Sequence, residues 1–174
     1  MIIEEYAQDL LKSEISIIEN SDKYYVYPEL SIYEKAIILK YSDDGYEDLN
    51  EKLRASSGKD FSVFGVLLLD CLNKLPNFVG NVYRGIILTK KELENYENAF
   101  LNDKPITEHF FISTSRSQLI GKQFGKTKFE IFTKSGKNIE RIAKHTNELE
   151  VLIPCNCRFR VISFETNLIQ LLEI

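Results

Sequence analysis

The hydrophobic period of this chain changes once, near residue 75. Before that point apolar residues recur every three or four positions, as Ile3, Tyr6, Leu10, Leu11, Ile15 and Ile18 do, which is the spacing of a helix face turned to a core. After it come short runs rich in β-branched and aromatic residues, divided by Gly, Ser and Asn, which suit strands and turns. Helices first and strands afterwards predict an α+β domain. The 174 residues are enough for a single domain over 1–174, with residues 1–75 as its mainly helical part and 76–174 as its strand-rich core.

Helices are expected over residues 2–18, 31–41, 46–54 and 60–75, the last being the most apolar and the most buried. The stretch SDDG at 42–45 is expected to stop the second helix, because Gly and Asp favour turns. A strand is expected over 80–88, and Thr89-Lys-Lys-Glu92 has the spacing of a capping box opening a helix to about Phe100. A strand over 106–114 then leads to a short helix over 115–124, ended by Gly125. Further strands are expected over 128–133, 138–143, 148–153, 158–165 and 168–173, with SGKN at 135–138 as a turn.

Several chemistries fit poorly. The net charge of −4 gives no electrostatic footprint for nucleic acid, and no segment approaches the ~20 apolar residues that span a bilayer. The start MIIEEYAQDLL is acidic where a Sec signal would be basic, so the chain as given is expected to be soluble. Residues 61–174 hold 12 acids and 15 bases, a mildly basic balance that tolerates an anionic ligand. Three cysteines, Cys71, Cys155 and Cys157, form neither a disulfide framework nor a zinc-site spacing, and only two histidines exist, so no metal is expected.

Polar residues within apolar strands are the better guide. Arg84 lies inside VYRG, and a buried arginine needs a partner. Ser113 opens Ser-Thr-Ser in FFISTSR. In HTNELEVLIP, Glu148 and Glu150 stand two positions apart before an apolar run; in a strand they would project from one face. Like charges so placed are unfavourable unless a cation or a reacting centre lies between them, although Glu is also common at solvated strand ends. In the helix YEDLNEKLR, Asn50 and Arg54 share a face at i and i+4.

Arg84, Ser113-Thr-Ser and Glu148-x-Glu150, in that order, resemble the arginine, Ser-Thr-Ser and Glu-x-Glu signature of the mono-ADP-ribosyltransferases, in the clostridial-toxin-like branch. The likeness extends through YEDLNEKLR, GNVYRG and the RFRV after the acidic motif, over roughly residues 30–165. It implies a fold of two packed, mainly antiparallel sheets around an NAD cleft with a helical N-terminal part. It implies transfer of ADP-ribose from NAD, the co-substrate, to an arginine side chain of a target protein.

Breaking the ribose–nicotinamide bond passes through an oxocarbenium-like state, as glycoside hydrolysis does, and a carboxylate there helps as the charge develops. The resemblance gives that role to Glu150 and the holding of the acceptor guanidinium to Glu148; glutamate rather than glutamine at 148 favours arginine over asparagine. Ser113 would orient Glu150 and the ribose, and Arg84 would bind the phosphate and ribose region. Gly85 would let nicotinamide approach the backbone, with Asn50, Arg54 and Thr114 as further NAD-binding residues. Thr114 and Ser115 also serve the strand end structurally, Ser115 as a candidate N-cap. Phe124 and Lys126 fall where the family has a phosphate–nicotinamide loop, and His145 where a loop touches the target.

Two other readings stand beside this one: an NAD glycohydrolase, with water as acceptor, and a catalytically silent binding module on the same fold. The class also implies a monomeric toxin or effector, secreted or delivered into a target cell's cytosol, and raises an immunity or chaperone protein as a partner.

Overall fold

The computed structural model describes residues 2–174. The expected first helix is two: α1 (Ile3–Leu10) and α2 (Lys12–Glu19), divided at Leu11, whose φ of −124° and ψ of 37° are not helical. The break lets Ala7, Leu11 and Ile18 all enter one core. Next comes α3 (Ile32–Lys40), opened by a capping box of Ser31 and Glu34.

SDDG does not stop this helix. Residues Tyr41–Gly45 form a π-helical turn that runs directly into α4 (Tyr46–Ala55). The turn formers find partners along the helix instead: Ser42 Oγ donates to Leu39 O at 2.9 Å, and Asp44 pairs with Lys40 at 2.7 Å. Gly45 keeps right-handed helical angles. A helix α5 (Val63–Lys74) follows, its start set by Ser62, which accepts the Gly65 N–H. Its Leu68, Cys71 and Leu72 pack with Ile37, Leu39 and Leu53 in a helical core.

The second half holds β1 (Asn77–Ile86), α6 (Lys90–Leu101), β2 (Ile106–Glu108), β3 (Ile112–Ser115), α7 (Gln118–Gly121), β4 (Thr127–Asn138), β5 (Glu150–Ile153), β6 (Cys157–Glu165) and β7 (Leu168–Glu173). The capping box of Thr89 and Glu92 opens α6 as expected. The strand expected over 106–114 is interrupted, because the Phe111 backbone pairs with the Asn50 side chain instead of a neighbouring strand. The helix expected over 115–124 shrinks to α7, and Ser115 is not its N-cap. The Ser115 hydroxyl is used elsewhere: it accepts the Ser117 N–H and donates to Glu148 O.

SGKN is not a turn either. β4 runs through it, because the Glu173 carboxylate accepts from Thr133, the Lys134 and Ser135 N–H groups and the Ser135 hydroxyl. Residues 139–143 are correspondingly not a strand; Ile139, Ile142 and Ala143 turn into the helical core.

The strands hydrogen-bond in the order β1-β3-β5-β4-β7-β6-β2, and a further β1–β4 pairing closes β1, β3, β5 and β4 into a ring. Among the described residues only β4–β7 is parallel. The two sheets expected from the resemblance are thus joined through β1 and β4. Their facing sides, including Val82, Ile112, Val151 and Ile153 against Phe129, Ile131, Phe159 and Ile169, form a second apolar core.

Candidate active site

The neighbouring strands β1, β3 and β5 bring three distant sequence positions together. Tyr83 pairs with Ser115 across β1 and β3, and Ser115 with Glu150 across β3 and β5. Arg84, Ser113 and Glu150 therefore meet at one side of a cavity of about 680 Å³ whose opposite wall is the π-helical turn and α4.

Glu150 is only 5% exposed. Ser113 Oγ donates to its Oε1 at 2.5 Å. Burial pushes its carboxyl up to about 7, the Ser113 hydrogen bond opposes that, the Glu148 charge adds to it and Arg84 opposes it. Arg84 Nη1 donates to Ser113 O at 2.9 Å, so Arg84, Ser113 and Glu150 form one chain of contacts. Burial draws the Arg84 guanidinium below its ordinary value, yet an arginine stays charged in any protein setting. Among the described residues neither Arg84 nor Arg54 makes an ion pair. Both line the cavity, and Arg54 lies 3.9 Å above the Phe110 ring. Unpaired guanidinium groups facing a cavity suit an anionic ligand.

Glu148 is not in the strand with Glu150. It ends a 3₁₀ turn, Thr146–Glu148, and Leu149 between the two acids takes left-handed angles, φ 52° and ψ 47°. The i, i+2 rule of an extended strand therefore does not set their relation. Instead the reversal at Leu149 is held by Arg116 N–H to Leu149 O and by Ser115 Oγ to Glu148 O at 2.7 Å. Both acids nonetheless line the cavity, and the Glu148 carboxylate makes no ion pair among the described residues.

Asn50 lines the cavity but commits its amide elsewhere. Oδ1 accepts the Phe111 N–H at 3.0 Å, and Nδ2 donates to Phe111 O and to Tyr41 Oη, both at 3.2 Å. This ties α4 to the segment leading into Ser113. Asn50→Ala would strand two buried backbone groups, and a loss of about 2–4 kcal/mol in urea unfolding is expected. A loss below about 0.5 kcal/mol would show that the tie is dispensable.

Thr114 lines the cavity and gives its hydroxyl to Val151 O, so it locks β3 to β5. Gly85 is buried, and a Cβ there would strike the backbone of Phe124 and Gly125. Its small size admits that loop and brings the exposed Phe124 to the cavity rim. His145 is exposed on the rim beside Glu148. Lys126, by contrast, is exposed and lies outside the cavity lining.

Sequence reasoning passed over Tyr41, Ser42 and Asp43, which line the cavity from the π-helical turn. Their signal was hidden by reading SDDG as an ordinary turn. The fully buried Tyr41 could have been suspected as the end of an apolar helix whose hydroxyl needs a partner. Cys71, Cys155 and Cys157 are free thiols that burial pushes to about 12, 11 and 12. Among the described residues no helix is long and apolar enough to cross a membrane.

Known proteins resemble this chain in fold and in sequence. The ADP-ribosyltransferase HopU1 of Pseudomonas syringae superposes with a TM-score of 0.82 at 21% identity, over 94% of this chain and 87% of that one. The NAD(+)–protein-arginine ADP-ribosyltransferase Tre1 of Serratia proteamaculans (strain 568) is 33% identical over 124 residues, 70% of this chain and 26% of Tre1. The Mav protein of Mycobacterium avium (strain 104) is 30% identical over 153 residues, 85% of this chain and 18% of Mav. The chain thus spans about a quarter or less of the length of these two relatives. The sequence profile described as NAD:arginine ADP-ribosyltransferase matches residues 6–171, from within α1 to within β7, so the chain belongs to that family.

Proposed function

We propose that this chain transfers ADP-ribose from NAD to an arginine side chain of a target protein and releases nicotinamide. The observation that carries the reading is the buried Glu150, held by Ser113 beside an unpaired Arg84 in a cavity of about 680 Å³. That volume lies within the range of small-molecule sites.

Arg84 and Arg54 bind the diphosphate of NAD with their planar donor forks. Ser113 fixes the Glu150 carboxylate toward the nicotinamide ribose. As the ribose–nicotinamide bond breaks, its electron pair leaves with nicotinamide and positive charge develops on the ribose. Glu150 stabilises that charge from a fixed position with little solvent between, where a carboxylate acts most strongly. Glu148 receives the acceptor guanidinium; one guanidinium nitrogen bonds to the ribose carbon and gives up a proton. Asn50 and Thr114 hold the walls, and Phe124 and His145 border the openings toward NAD and target. The carbocation-stabilising role needs Glu150 ionised. Since burial lifts its carboxyl to about 7, kcat/KM for NAD is expected to rise with pH, with unit slope below about 7, and then level off. A rise centred near the ordinary carboxylate value would contradict this.

The target is a protein. The neighbouring fold of XopAI from Xanthomonas axonopodis, a type III effector, supports the reading of an effector delivered into another cell. Where the acceptor protein also exists in the producing cell, that reading calls for an immunity or chaperone protein there. Labelled NAD incubated with a cell lysate tests it: label on a protein band, competed away by free agmatine, is the expected result. Nicotinamide release with no protein labelled would make water the acceptor.

A further inference from the structure

The loop carrying Glu148 is tied directly to the π-helical turn by groups that the transfer reaction does not otherwise use. Lys144 Nζ lies 2.9 Å from Asp43 Oδ2, and the Lys144 N–H donates to Ser42 Oγ at 2.9 Å. Ser42 is itself fixed, since its hydroxyl donates to Leu39 O at 2.9 Å. On the near side of the loop, Lys23 Nζ donates to Ala143 O at 2.7 Å. Four positions after Lys144 comes Glu148, whose own carbonyl is held by Ser115 Oγ at 2.7 Å. Only residues 145–147 lie between these two anchors. With so short a span, the place of the Lys144 backbone limits where the 3₁₀ turn, and with it the Glu148 carboxylate, can stand.

We propose that Lys144 and Asp43 form a latch that positions Glu148 for the acceptor guanidinium and so sets the partition of the ribosyl group between arginine and water. The proposal rests on the transferase reading of the site. In both branches the ribose–nicotinamide bond breaks and its electron pair leaves on nicotinamide. The new bond forms to a guanidinium nitrogen or to a water oxygen, and either nucleophile loses one proton. A correctly placed Glu148 favours the first; a loose one leaves the ribose open to the second. The Lys144 and Asp43 side chains are each 39% exposed, and pairs so exposed add little to stability. Breaking the latch therefore leaves the fold intact.

The test uses agmatine, a small acceptor that is held at the guanidinium site without a protein surface around it. Lys144→Ala raises the KM for agmatine about fivefold while nicotinamide release without acceptor stays within about twofold. Asp43→Asn raises the agmatine KM similarly, and the reversed pair, Lys144→Asp with Asp43→Lys, brings it back to within about twofold of the original. An unchanged agmatine KM in either single variant overturns the latch, as does a reversed pair no better than the single variants. If the unaltered protein makes no agmatine product, the transferase reading fails and the latch with it. Product from the unaltered protein, with variants that behave alike, removes the latch alone.

Discussion

Glu150→Gln is expected to abolish turnover and, at neutral pH, to stabilise the fold. The loss follows from the reaction: a neutral amide keeps the shape and the Ser113 hydrogen bond but removes the charge that opposes the developing cation. A drop of roughly a thousandfold in kcat/KM is expected, the size seen when a fixed electrostatic partner of a transition state is removed. The gain in stability follows from burial. The folded Glu150 holds its proton up to about 7, whereas the unfolded chain loses it near 4.5. Between those values the unfolded chain binds fewer protons, so this carboxyl's contribution to stability falls as pH rises. At pH 8 the cost is at most about 3 kcal/mol, and Gln does not carry it. Thermal unfolding at pH 8 should place Glu150→Gln above the unaltered protein, and the difference should close at pH 4. A variant less stable at pH 8 would show that the buried charge is compensated more fully than its contacts with Ser113 and Arg84 suggest.

Glu148→Gln should separate the two halves of the reaction. Glu148 stands apart from the Glu150–Ser113–Arg84 chain, on the other side of the Leu149 reversal, and its carboxylate is free to receive a guanidinium. Loss of a charge-assisted, forked contact costs about 1.5–3 kcal/mol, so transfer to agmatine should fall by roughly tenfold to a hundredfold. Nicotinamide release to water should change by no more than a few fold, since cleavage depends on Glu150. Steady-state kinetics with and without agmatine reads both rates. Equal loss of both would mean that Glu148 acts in cleavage and that its assigned role is wrong.

The residues that carry polar or charged groups into apolar strands were legible without a structure. Arg84, Ser113 and Glu150 are costly in such places, and only the strand order β1-β3-β5 was needed to bring them together. The capping box at Thr89 was equally plain, because its two partners are close in sequence. What could not be read were the places where a distant partner overrides local preference. SDDG and SGKN have the composition of turns, yet Lys40 and Leu39 absorb the first into a helix and Glu173 absorbs the second into β4. Asn50 lines the cavity, as its helix face suggested, but that its amide also replaces a missing strand for Phe111 could not be read. The left-handed Leu149 was hidden for a different reason: Leu carries no sign of such angles, and Ser115 at the end of β3 and Arg116 just after it hold it there. Lys126 was placed by the length of its loop alone; it is exposed, outside the cavity lining, next to a glycine that packs closely on Ile86 of β1.

On the proposed reading, this chain moves ADP-ribose from NAD to a guanidinium and the buried Glu150 drives the cleavage. The most direct measurement is mass spectrometry of agmatine incubated with NAD and the protein, run beside Glu150→Gln shown to be folded and to bind NAD. ADP-ribosyl-agmatine formed by the unaltered protein and missing from the variant is the expected result. The same product in similar yield from Glu150→Gln would remove Glu150 from the cleavage step, and its absence from both would mean that no ADP-ribose reaches a guanidinium here.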